Sequence, residues 1–284
     1  MNSRLPVCAP TWDAELQLTF ARSGPRSVLV ENRHRGPLRV QKALYPEGEA
    51  VCQAILLHPP SGIAGGDHLA IAATVAGGAH AQLTTPGAGK WYRSDGAAAW
   101  QTIAFTVAAG ATVEWLPQEN IVFNGARARM ETRVDLAADS RFIAWDILCL
   151  GRSAAGERFV SGRCDLFFRI DRTGVPLWLE RGGFDGSDAL LTSPVGWSGS
   201  SVSGTLVCTF PDLPGHAAPL LTACRAVAPG DGATHGVSAL PDLLVARYLG
   251  DNSEAARLWF TELWKILRPA CCHRPAVIPR IWNT

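Results

Sequence analysis

Val75-Ala-Gly-Gly-Ala-His-Ala-Gln-Leu83 is echoed by Val107-Ala-Ala-Gly-Ala-Thr-Val-Glu-Trp115 and by Leu136-Ala-Ala-Asp-Ser-Arg-Phe-Ile-Ala144, with Ile170-Asp-Arg-Thr-Gly-Val-Pro-Leu-Trp178 as a fourth copy. In each, an apolar strand end runs into small or Gly/Asp-containing residues that tolerate φ > 0, and extended residues follow. That is how a β-hairpin is written. The copies start at 75, 107, 136 and 170. A spacing of roughly 30 residues is what stacked supersecondary units produce, because one unit alone cannot bury its apolar face.

Flanking strands alternate with period two. Ile103, Phe105 and Val107 fall on one face, and Ala104 and Thr106 on the other. From 127 to 136 the charged Arg127, Arg129, Glu131, Arg133 and Asp135 oppose Ala128, Met130, Thr132, Val134 and Leu136, which predicts a charged face toward water and an apolar face toward a core. Helix is expected only near the end. Asp251-Asn-Ser-Glu254 offers an N-terminal cap, and Ala255, Leu258, Trp259, Leu263, Ile266 and Leu267 recur at helical spacing until Arg268-Pro269. A shorter helix over 241–248 is predicted before it, and the Gly/Ser-rich 184–204 reads as a long loop. The expected fold is mainly β: stacked antiparallel hairpins in a β-helix-like or two-layer body, with a short C-terminal helical pair. One domain is expected over 1–284, with a β body at about 25–240, a helical segment at about 241–269 and a tail at 270–284.

Composition narrows the function. The 284 residues carry 26 Lys+Arg against 25 Asp+Glu, a formal charge of +1, so the clustered cations of a nucleic-acid binder are missing. With 47% hydrophobic and 18% charged residues the chain is globular. A mean hydropathy of +0.08 is compatible with apolar surface kept for a partner or with a large core. The start MNSRLPVCAP has no apolar core of a signal peptide, so a cytoplasmic location with reduced thiols is expected, the eight cysteines acting mostly as small core residues. The uncharged stretches, the longest between Asp188 and Asp212, are broken by Gly, Pro and Ser and do not read as bilayer spans.

Chemical motifs are sparse. No G-x-S-x-G elbow is present, and the seven histidines are scattered singly. Ser61-Gly-Ile-Ala-Gly-Gly-Asp67 and Thr85-Pro-Gly-Ala-Gly-Lys90 lack the phosphate-loop pattern and read as tight turns. Cys271-Cys272-His273 is the densest set of soft ligands, but adjacent cysteine side chains diverge, so a metal site complete within this chain is not expected, and one shared between two chains is left open. Glu119, Asp146 and Glu157 leave open a carbohydrate-active β-solenoid enzyme built on paired carboxylates. A metal-storage or sensing protein is a third reading.

Taken together, several segments resemble the urease accessory protein UreD family, also called UreH. They are Leu57-His-Pro-Pro-Ser-Gly-Ile-Ala-Gly-Gly-Asp67, Leu83-Thr-Thr-Pro-Gly-Ala-Gly-Lys-Trp-Tyr-Arg93, 114–126, Trp145-Asp146, Leu150-Gly-Arg152, Gly156-Glu-Arg-Phe159, and the tail from Arg247 to Trp282. Asn124 stands where the family commonly carries Asp. The resemblance implies a mostly β scaffold that is not an enzyme. Such a protein binds UreF, recruits the GTPase UreG through it, and docks on the urease apoprotein for nickel insertion. It implies no tightly bound cofactor, only transient Ni²⁺, and neither nucleic acid nor membrane as partner. A conduit must hold an ion weakly at every step, so dispersed carboxylates and hydroxyls suit it better than thiolate clusters. Asp67, Glu119, Asp146 and Glu157, with Thr85, are expected along an internal path. Trp91, Tyr92, Arg93, Arg280 and Trp282 are the expected partner anchors.

Overall fold

The turns after Val75, Val107 and Leu136 do not reverse the chain within a sheet; they carry it from one sheet to another. A computed structural model describes residues 11–283. Its strands run β1 (Asp13–Ser23), β2 (Arg26–Arg35), β3 (Arg39–Leu44), β4 (Cys52–Leu57), β5 (His68–Val75) and β6 (His80–Thr84). Then come β7 (Gly89–Trp91), β8 (Ala99–Val107), β9 (Thr112–Trp115), β10 (Asn120–Val122), β11 (Arg127–Leu136) and β12 (Arg141–Leu150). The rest is β13 (Arg163–Arg172), β14 (Val175–Asp185), β15 (Val202–Thr209), α1 (Leu213–Arg225), β16 (Thr234–Leu240), β17 (Leu243–Gly250) and α2 (Ser253–Cys272). One sheet has the order β14-β13-β11-β8-β5-β1-β2; the other runs β16-β17-β15-β12-β9-β6-β4-β3, with β10 and β7 alongside β12.

Successive units stack in parallel. Val75 pairs with Val107 and Val107 with Leu136 in the first sheet; His80 pairs with Thr112 and Thr112 with Arg141 in the second. The repeat starts seen in the sequence are therefore neighbouring rungs of a β-helix-like, two-layer body. The antiparallel hairpin expected within each unit is corrected: four-residue arches such as 76–79 span the gap between layers. Only the fourth copy behaves as written. Thr173 (φ 49) and Gly174 (φ 79) form a two-residue turn with both φ positive, the geometry that folds a strand back in its own sheet, and β13 and β14 pair antiparallel from Arg172↔Val175 onward.

Two apolar layers follow. One lies between the sheets, with Leu16, Leu83, Phe105 and Phe142 among its fully buried members. The other lies between the second sheet and the helices, where Trp145 meets Phe260, Trp264 and Trp282. The helical pair is present, but its first member is α1, within the stretch assigned to the β body, while 243–250 is the strand β17. Leu243 to Ala246 are all buried on both faces, and such a run does not separate strand from helix by periodicity. On α2 the buried stripe is Ala256, Trp259, Phe260, Leu263, Trp264 and Leu267; Leu258 is 52% exposed. The helix also passes Pro269 and ends at His273, whose positive φ caps it. Burial of Arg268, Cys271 and Cys272 anchors that last turn beyond the proline.

Candidate functional site

The space between the sheets is not fully packed. A cavity of about 350 Å³ lies there, lined from both sheets by apolar residues such as Ile71, Ile103, Leu148 and Phe168. This far exceeds the roughly 15 Å³ that one water requires. A polar stripe crosses it. Asp146, Thr205 and Arg247 are paired in one row across β12, β15 and β17, and Glu180 reaches in from β14 of the facing sheet. Asn120 Nδ2 donates to Asp146 Oδ1 at 3.0 Å, and Trp91 Nε1 donates to Asn120 Oδ1 at 3.1 Å. Thr85 also lines the cavity; its hydroxyl accepts from the Gln118 N–H at 2.9 Å.

Asp146 is enclosed by protein yet keeps surface open to the cavity, so it is only half-buried by area. Burial raises its carboxyl, the Asn120 hydrogen bond pulls it back in part, and the charge of Glu180 pushes it up again, to about 6. Nearby thiols are not thiolates: burial, with the charges of Glu119 and Asp146, pushes Cys149 up to about 12.

Of the expected path residues, Asp146 and Thr85 meet in the cavity. Glu119 lies between the lining residues Gln118 and Asn120, and its carbonyl accepts from Gly89 N–H. Asp67 is buried at a turn, where its two oxygens accept from the N–H groups of Trp12 and Ala64, each at 2.8 Å. Glu157 accepts from Asn124 N–H at 2.6 Å and pairs with Arg152. Asn124 Oδ1 in turn accepts from Val160 and Ser161, so the amide at this position fastens a loop. Neither Asp67 nor Glu157 lines the cavity.

The expected partner anchors divide. Tyr92 is 36% exposed, and the Arg93 side chain and Arg280 are exposed. Trp91 and Trp282 are corrected: both are buried, with Trp282 Nε1 donating to Thr84 Oγ1 at 2.7 Å. Large rings are the most effective way to fill the gaps between layers, and these two are used for that. The Gly-rich motif is explained by the same packing, since a Cβ on Gly62 would lie 2.0 Å from the Tyr92 ring.

A second polar cluster went unseen in the sequence. On the opposite face of the second sheet, Glu114 accepts from His80 Nε2 at 2.7 Å, Trp264 Nε1 at 2.7 Å, and Arg268 Nε and Nη2, each at 2.9 Å. Arg268 also donates to Glu47 Oε2 at 2.7 Å. Burial by itself would raise the Glu114 carboxyl, but His80 and then Arg268 reverse this and hold it at about 2. His80, Glu114 and Cys272 place one ligand atom each within 4.8 Å of one another. With both Glu114 oxygens engaged by a guanidinium and Cys272 raised well above the usual thiol range by burial and Cys271, the cluster is a lock and does not suit a cation. His273 is an exposed helix cap and does not join Cys271 and Cys272. The signal was available in the repeat: Gln82 and Glu114 occupy equivalent positions in two units and pair in register.

Comparison with known proteins agrees across the chain. Residues 13–283 match the family described as UreD urease accessory protein. A protein of Dechloromonas aromatica named urease accessory protein UreD is 72% identical, with all of both chains covered. Proteins of the same name from Pseudomonas fluorescens (strain Pf-5) and Nitrosococcus oceani are 53% and 52% identical, covering 97% and 96% of this chain and 96% and 91% of their own.

Proposed function

The chain belongs to the UreD urease accessory protein family and has its role in urease maturation, and from that premise we propose that it is a non-catalytic scaffold whose inter-sheet cavity passes nickel toward the urease apoprotein. Nickel here is cargo, held by no one set of residues. The observation that carries the reading is the polar stripe inside an otherwise apolar space, with a carboxylate at its centre that makes no ion pair among the described residues. With its pKa at about 6, Asp146 is mostly ionised near neutral pH. It offers a hard oxygen donor in a chain of weak ones, Thr85 and Asn120 among them, while the neutral thiols nearby provide no trap. Glu119 flanks this route, and Asp67 and Glu157 hold the turns that frame it.

The assembly we propose joins the chain to UreF, to UreG through UreF, and to apo-urease, in the cytoplasm. Free thiols at all seven described cysteines support a reducing compartment, and among the described residues no helix is long and apolar enough to cross a membrane. Tyr92, Arg93 and Arg280 are the exposed anchors offered to partners. Co-expression with urease and the other accessory proteins tests both halves. Asp146→Asn should still pull down UreF, UreG and apo-urease while nickel-dependent urease activity falls steeply. Parental activation by this variant would remove the transit route, and loss of the pull-down would show that the residue serves assembly instead.

A further inference from the structure

A second cavity, of about 390 Å³, adjoins the first and shares Leu166, Glu180, Trp197, Ser203 and Arg247 with it. These five residues are the partition between an outer space and the inter-sheet cavity. One ion pair crosses the partition. Arg247 Nη1 donates to Glu180 Oε1 on the facing sheet at 2.7 Å and to Thr205 Oγ1 on its own at 2.9 Å. The guanidinium lies 5.3 Å from the centre of the Trp178 ring. The two side chains keep 45% and 33% of their exposure, so the pair is wet.

We propose that Arg247 is a placeholder cation at this junction: it occupies Glu180 and bars the inner cavity to cations until a divalent ion displaces it. The inference rests on the transit reading above and gives it an entrance. A partly exposed ion pair is held weakly and opens readily. A divalent ion brings twice the charge of the guanidinium to the same carboxylate, so it wins the exchange where a monovalent ion does not. The Trp178 face gives the displaced guanidinium a place to rest. Past the junction, the inner cavity is lined by Asp146, two strands along the same row as Arg247. Glu180 and Asp146 line the same cavity, and the charge of Glu180 helps to raise the Asp146 carboxyl.

Manganese titration of the full chain, read by the resonance signal of the free ion, tests the gate without urease or any partner. Arg247→Gln removes the competing charge and is expected to bind Mn²⁺ about tenfold tighter than the parent. Adding Glu180→Gln should return the affinity to the parental level or below. Thr205→Val cuts one of the two tethers of the guanidinium and is expected to tighten binding by about twofold; it keeps the question open to test should Arg247→Gln not fold. Parental affinity in folded Arg247→Gln, or in Thr205→Val if that is the only folded variant, overturns the gate. Tighter binding by Arg247→Gln that persists when Glu180→Gln is added overturns it equally. Such a failure leaves the transit reading to its own Asp146→Asn activation test.

Discussion

Glu114 and Asp146 sit on adjacent strands of one sheet, but they face opposite layers and have been driven in opposite directions. Glu114 faces α2, receives hydrogen bonds from His80, Trp264 and Arg268, and is held at about 2. Asp146 faces the other sheet, has one side-chain donor in Asn120, looks across at Glu180, and rests at about 6. The first is a carboxylate whose charge the fold needs. The second is one whose charge the fold tolerates at a cost, in a cavity left open in the middle of a core. Close packing is the norm in protein interiors, so an unfilled, underpaired site of this kind marks a place where function outweighs stability.

The contrast can be broken hardest at its locked end. Arg268→Ala strands Glu114 and Glu47 without their cation, and loss of one partner of a buried pair costs about 3–5 kcal/mol. Urea unfolding should show that loss; a loss below about 1 kcal/mol would mean that the cluster is not a lock. Acid comes next. Because the folded pKa of Glu114 is depressed to about 2 from an ordinary value of 4.5, its stabilisation is complete above the unfolded value and disappears as pH falls through the folded one. Unfolding free energy should therefore drop by about 3 kcal/mol between those limits, and Glu114→Gln should flatten the drop.

Asp146 has the reverse sign. Its folded pKa is raised from 3.8 to about 6, so its contribution is full below the unfolded value and is lost as pH rises through the folded one. Asp146→Asn should thus stabilise the protein near neutral pH by about 1–2 kcal/mol, less than the full shift because the cavity admits water. Thermal melts at two pH values would sharpen the comparison, since the gain should vanish in acid. The smallest effect belongs to the outer face. Arg163 pairs with Asp165 and Asp185 in the open, and Arg163→Gln should leave the melting temperature unchanged within error.

What was legible in the sequence follows from which forces are local. The rungs at Val75, Val107 and Leu136 could be read because apolar alternation and small turn residues recur in register. Whether a turn folds back or crosses between layers could not, since Gly, Ala and Asp serve both; only the two-residue Thr173-Gly174 turn restricts the choice. Helix α1 was hidden by Pro214, Gly215 and Pro219, which interrupt any helical pattern. Asp146 and Thr85, which line the cavity, were singled out because short motifs pointed to them. Glu114 was not: the repeat marks its position, equivalent to Gln82, but its role depends on Arg268, 154 residues away, and nothing local marks that pairing.

The most direct measurement is the titration of the two carboxyl groups themselves, followed by carboxyl carbon NMR on a selectively labelled chain. Glu114 should remain ionised down to about 2, and Asp146 should change state at about 6. Two ordinary carboxylates titrating together at about 4 would contradict the division between a locked face and an open one.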